Sequence, residues 1–235
     1  MKKITSTASL ALRLTWLRVL GLFALVGAAQ WLAFSRGFTI DQAVEYQIDE
    51  LPGTIGRLGA AALMFLLSFA VSDGKNKHTA YTLRRLALSE GTVTVIWALV
   101  FAGYMLLYWV FQIGMCLGMY ARFAAQVDGV NRLFLAAYRS SWFHYLLPLS
   151  EPWGYARNVA IVLGFGSAGA VSARSARNGR SAPLCMALVM LFACLVLMPY
   201  EMASQNQDMF MVTAIVICTV IDWNWTRAWM RDEAV

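Results

Sequence analysis

Charge is what this sequence has least of. Only 14% of its 235 residues are Asp, Glu, Lys or Arg, while 60% are hydrophobic and the mean hydropathy is +0.58. A soluble domain is about one quarter charged and about half apolar, so a water-surrounded globule is excluded and the apolar excess belongs in a bilayer. Histidine is scarcer still. His78 and His144 stand far apart, too few to build a metal site, and His144 has no obvious nucleophile or carboxylate partner near it in the chain. The four cysteines, Cys116, Cys185, Cys194 and Cys218, lie inside apolar runs without CxxC spacing. They read as small apolar core residues rather than disulfides or metal ligands. The sequence has no GxxxxGK[ST], no HExxH and no GxSxG, so it offers no phosphate loop, zinc-protease helix or nucleophile elbow and reads as a non-enzyme. The apolar runs also hold few ionisable groups. Asp73 and Asp222 sit near run ends, Arg57 and Arg157 near the outer face, and Gln112 is the deep polar residue. Proton- and ion-coupled carriers place acids or bases well inside the membrane, so that mode is disfavoured.

What is present is a series of long apolar runs. In lipid every backbone polar group needs a partner within the protein, which leaves helices or a closed barrel. The runs are continuous rather than alternating, which excludes the barrel. The expected fold is all-α: one transmembrane domain over residues 1–235, with spans at 14–34, 55–72, 92–120, 155–173, 182–198 and 209–223. Leu10, Leu12, Leu14 and Leu17 against Arg13 and Arg18 form an amphipathic lead-in to a first run too long for a signal peptide. Residues 35–54 form an acidic loop with Asp41, Glu45, Asp49 and Glu50. In it Ile40, Val44 and Ile48 recur every fourth residue, predicting a surface helix that Pro52 and Gly53 end. Between spans three and four, residues 121–153 are irregular. Leu133, Phe134, Ala137, Tyr138, Trp142 and Tyr145 alternate with Arg132, Arg139 and His144, and Pro148 and Pro152 interrupt them. Aromatic residues favour the headgroup level, so an interfacial or re-entrant helix is expected.

Basic residues set the orientation. The N-terminus (Lys2, Lys3, Arg13, Arg18), the loop after span two (Lys75, Lys77, Arg84, Arg85), the turn after span four (Arg174, Arg177, Arg180) and the tail (Arg227, Arg231) fall on one side. The other side holds Arg36, Arg57, Arg122, Arg132, Arg139 and Arg157 and most of the acids. The positive-inside bias therefore predicts a multi-pass protein of the cell membrane with both termini cytoplasmic. The net charge of +6 is spent on orientation and is not a nucleic-acid footprint. Gly164-Phe-Gly166-Ser-Ala-Gly169 matches GxGxxG but lies inside a span, so it reads as small residues for close helix packing. Gly114-Met-Cys-Leu-Gly118 reads the same way. Asn224-Trp-Thr226 matches a glycosylation acceptor on the cytoplasmic side and is discounted.

The polar island at 76–90, NKHTAYTLRRLALSE, stands between spans two and three. As a short helix it would set Leu83 and Leu86 against Arg84 and Arg85. Read blandly, it is a basic loop that fixes orientation. Its wording, T-L-R-R-L-A-L-S-E just before a span, resembles the LRxLPxS segment of membrane subunits of the type-two ABC exporter class, with Ala87 where the proline stands. That class carries a cytoplasmic coupling helix between its second and third spans, on six spans with an amphipathic lead-in. It places its re-entrant helices between spans five and six, whereas here the amphipathic piece lies between three and four. The resemblance implies a permease subunit of an ATP-driven exporter. Tyr81, Leu83, Arg84, Arg85, Leu86 and Glu90 would dock on a separate cytoplasmic ATP-binding subunit, which would bind the ATP, so this chain would carry no cofactor. A second permease copy or sister subunit completes such a transporter. Trp97, Phe101, Tyr104, Tyr108 and Gln112 along the third span are candidates for an apolar translocation path, with lipid-facing or core packing as the duller reading. A second class of function is a non-transporting docking or sensor module that uses the same island. With the native cysteines replaced, Glu45→Cys and Arg177→Cys are expected to react with a membrane-impermeant maleimide from opposite sides; same-side labelling contradicts the six-span topology.

Overall fold

A computed structural model describes residues 2–37, 44–69, 89–124, 139–148, 151–177, 183–197 and 205–232. The island residues Tyr81, Leu83, Arg84, Arg85 and Leu86 lie outside this set; Glu90 lies within it. The described chain is helical throughout, with α1 (Lys2–Gly37), α2 (Val44–Asp49), α3 (Leu51–Phe69), α4 (Glu90–Ala124), α5 (Ser141–Leu146), α6 (Pro152–Arg177), α7 (Pro183–Leu197) and α8 (Gln205–Asp232). It is an all-α, polytopic membrane bundle. Among the described residues, four stretches are long and apolar enough to cross a bilayer: Ile4–Gly37, Val44–Phe69, Glu90–Phe123 and Pro152–Ser175. The expected fifth and sixth spans fall on α7, with 15 residues, and on α8, whose apolar stretch is Asn206–Ile221.

Proline explains several boundaries. Pro152 and Pro183 are the first residues of α6 and α7, and Pro52 is the second of α3. Proline suits the first helical turn, where its missing N–H bonds nothing anyway. Pro52 and Gly53 therefore open α3 rather than merely ending the helix before it. Ser89 caps α4, its hydroxyl accepting from the Thr92 N–H at 3.2 Å. No proline interrupts α1 or α4, of 36 and 35 residues. At 1.5 Å per residue each runs about 50 Å, well beyond a hydrocarbon core of about 30 Å. The lead-in and first span are thus one helix. The tail arginines Arg227 and Arg231 likewise continue α8.

α4 is the central helix, lying against α1 on one side and α6 on the other; α3 joins α1 to α7, and α6 carries α7 and α8. Its buried stripe repeats at three and four residues, through Val93, Trp97, Phe101, Tyr104, Tyr108, Gln112, Cys116 and Met119. Leu99, Leu106, Leu107, Val110 and Leu117 face outward. Lipid is as apolar as leucine, so close packing rather than water exclusion holds such helices together. The glycines of α6 make that contact: a Cβ on Gly166 would stand 2.7 Å from the Ala98 carbonyl of α4, and one on Gly164 2.6 Å from the Phe192 ring of α7. Gly114 and Gly118 behave otherwise. A Cβ on Gly114 would meet nothing and one on Gly118 only Trp31 at 3.9 Å, so the expected packing role is not found at either. Of the cysteines, Cys116 is buried in the core, but Cys194 is exposed on the apolar surface.

At the end opposite the island a second cluster, with Phe34, Val44, Ile48, Met119, Trp142 and Leu146, closes the bundle. The expected surface helix is α2, and it is not a surface helix: Val44 is 2% and Ile48 0% exposed. Overpacking a close helix contact costs about 1–3 kcal/mol. Gly166→Leu is expected to lower the unfolding free energy in detergent by about that much, whereas Gly114→Leu stays within about 0.5 kcal/mol of the parent. Equal losses at both positions would contradict the helix contact.

Candidate functional site

The polar residues of the described chain fall into three groups along α4, from the island end to the opposite end. At the island end Glu90, the first residue of α4, lies 3.7 Å from the Arg174 guanidinium of α6. Arg174 is buried and Glu90 half-exposed. Of the expected docking residues only Glu90 is described, and it ties the two helices with the most extensive mutual contact.

Midway, the expected path residues converge in the interior. Trp97 stacks edge-on against Phe101, which lies parallel to Phe165, and the Thr15 hydroxyl donates to the Tyr104 oxygen at 3.0 Å. Gln112 bonds Gln30 of α1 reciprocally: each side-chain NH2 donates to the other's carbonyl, at 2.9 and 3.1 Å. The second donor of Gln30 goes to the Pro52 carbonyl and that of Gln112 to the Tyr108 hydroxyl, which in turn donates to the Gly56 carbonyl. Every donor in the set is used, which is what burial in a low dielectric demands. Glycine at 56 and 59 makes room for it. A Cβ on Gly56 would stand 2.7 Å from Gln112 Oε1, and one on Gly59 would overlap the Tyr108 hydroxyl. All five path residues are buried. What they form is a packed, hydrogen-bonded seam.

At the far end, two carboxylates organise the segment around α5. Asp49, the last residue of α2, accepts from the Ser140 hydroxyl at 2.6 Å and from the backbone N–H groups of Ser141 and Trp142 at 2.7 and 3.0 Å. Ser140 also caps α5 by accepting from the Phe143 N–H at 3.2 Å. Of the amphipathic stretch expected here, Arg132, Leu133, Phe134, Ala137 and Tyr138 lie outside the described residues; its later part is helical at Ser141–Leu146, and Trp142, Phe143, Tyr145 and Leu146 are buried rather than interfacial. Beside it, Arg157 of α6 meets Asp208 of α8 at 2.7 Å, both side chains 1% exposed. The guanidinium lies 4.3 Å from the Tyr145 ring centroid and donates to Asn158 Oδ1. The Asn158 amide donates to the Tyr145 carbonyl at 2.8 Å. Burial pushes the Tyr145 phenol above its usual range, with Arg157 and Arg57 pulling it partly back, so the ring stays neutral.

This ion pair was missed by sequence reasoning. The sequence places Arg157 near the outer face, and its partner Asp208 stands 51 positions away. The one available signal was that each stands in the first two turns of an apolar helix. The expected placement of Arg157 near the outer face is therefore corrected: it is buried in the bundle with Asp208. Among the described residues no group of three or more His, Cys, Asp or Glu is arranged to hold a metal ion.

Breaking one side of a buried pair costs about 3–5 kcal/mol, because the other charge is left uncompensated, whereas replacing both with apolar residues is often tolerated. Arg157→Met and Asp208→Leu are each expected to lower stability in detergent by about that amount, with the double variant recovering most of the loss. Additive losses would show that the charges do not act as a pair. Compared with families of known proteins, with curated protein sequences and with solved structures, the chain matches none.

Proposed function

We propose that the chain is the permease subunit of an ATP-driven exporter, driven through residues 76–90 by a separate ATP-binding subunit. The observation that carries this reading is the junction at Glu90. It closes the segment whose wording resembles a coupling helix, opens the 35-residue α4, and ion-pairs with Arg174 of α6. A displacement of the island would therefore act on α4 and α6 together. α4 runs unbroken from that end to the cluster around Trp142, a lever long enough to transmit motion across the bilayer. Leu83 and Leu86 would supply the apolar anchors of the docking contact, and Tyr81, Arg84 and Arg85 its orientation. ATP binding and hydrolysis would belong to the partner. Six spans with both termini cytoplasmic are too few for a translocation path of this kind, so a second copy or a sister subunit would face this one.

A second reading rests on the interior seam. The stripe Trp97, Phe101, Tyr104, Tyr108 and Gln112 is packed, and its Gln112 amide and Tyr108 hydroxyl are hydrogen-bonded, which suits a docking or sensor module that moves nothing through itself. The two readings part on one experiment. The Leu83→Asp/Leu86→Asp double variant, tagged and purified in mild detergent, is expected to insert normally and to lose a stoichiometric ATPase that accompanies the parent protein. A parent protein that purifies without an ATPase, or a variant that keeps it, refutes the coupling assignment and leaves the docking-module reading.

A further inference from the structure

Between α3, α4, α5, α6 and α7 the helices leave a narrow cleft of about 50 Å³, open on one side. Ala60, Met105, Ile161, Val162 and Val196 make its walls apolar. A water-sized occupant needs roughly 10–15 Å³ of such space, so the cleft takes a short stretch of unbranched chain and excludes a fused ring.

Three polar side chains in the wall are already engaged. The Tyr108 hydroxyl donates to the Gly56 carbonyl, the Trp109 indole to the Leu146 carbonyl, and the Asn158 amide to the Tyr145 carbonyl. Trp142 differs. It is 1% exposed, and its indole N–H has no hydrogen-bond partner among the described residues. Its ring is held in place, stacked on Tyr145 at 5.6 Å, with the Arg57 guanidinium 5.4 Å away. An unmet donor buried in a low dielectric is costly, so the cleft favours an occupant that brings an acceptor. Water suits it poorly, because a buried water needs two to four polar partners. At this depth the same stretches of α4 and α6 turn Leu106, Leu107, Val159 and Leu163 outward, so hydrocarbon is what surrounds the bundle.

We infer that the cleft binds one acyl chain of a bilayer phospholipid. Its ester carbonyl accepts from the Trp142 indole N–H, and its first carbons lie along Met105, Ile161 and Val162. Asn158 stands one turn nearer the start of α6 than Ile161 and Val162, which sets the carbonyl at the far end of the bundle and the chain inward. The site needs neither an ATPase nor a second subunit, and it stands whichever functional reading holds.

The full chain in nanodiscs of dioleoylphosphatidylcholine, doped with a phosphatidylcholine bearing a diazirine in one acyl chain, supplies the test. Photolysis and peptide mapping are expected to find adducts at Met105 and Ile161, which are 5% and 4% exposed and out of reach of lipid that stays outside the bundle. Val162→Trp fills the cleft and is expected to remove these adducts while leaving those at Leu99 and Leu107. Trp142→Phe keeps a ring and removes the donor, and is expected to lower the cleft adducts by roughly 2- to 10-fold, the range one net hydrogen bond spans. A diazirine-bearing alkane, which has no carbonyl, is expected to label Met105 equally in parent and Trp142→Phe. Folded parent protein labelled only at outward residues overturns the inference. So does Trp142→Phe labelled by the phospholipid as strongly as the parent.

Discussion

Two amides hold the centre of this protein. Gln30 of α1 and Gln112 of α4 bond each other in both directions, and their remaining donors reach α3 through the Pro52 carbonyl and the Tyr108 hydroxyl. In hydrocarbon an amide has no other partners to turn to, so the spacing of three helices is set by the reach of these side chains. The constraint propagates. α3 comes close enough only because Gly56 and Gly59 face the seam, and the register of α4 that presents Gln112 and Tyr108 also buries Trp97 and Phe101 against α6.

The same requirement shapes the far end. A charge there is acceptable only when another element brings its partner. Arg157 meets Asp208 from α8, and Asp49 receives three donors from the start of α5. These contacts turn a short amphipathic helix into a lid on the bundle. They also gather the aromatic rings of Trp142 and Tyr145 beside the cleft between α4 and α6. At the island end, Glu90 and Arg174 form an ion pair among the described residues.

The helical bundle was legible because it follows from local quantities. A long run of apolar residues must be helical in lipid whatever surrounds it, whereas Pro52, expected to end a helix, stands in the first turn of one. The small-residue contact at Gly164 and Gly166 was legible for the same reason. The identical argument failed at Gly114 and Gly118, because a glycine pair shows that helices can approach and not that one does. Val44 and Ile48 were recognised as a helical repeat but assigned to the surface, since periodicity tells which residues share a face and not what covers it.

What the sequence determined by itself is the membrane class, the helical fold and the approximate ends of the apolar runs. Each depends on residues close together in the chain. What only the tertiary structure decided is the pairing of residues far apart: Gln30 with Gln112, Asp49 with Ser140, Arg157 with Asp208. A lone polar residue in an apolar run reads as an anomaly until the partner that neutralises it is in place. Which of several distant groups fills that role is fixed by helix packing, and helix packing is set by all the contacts at once.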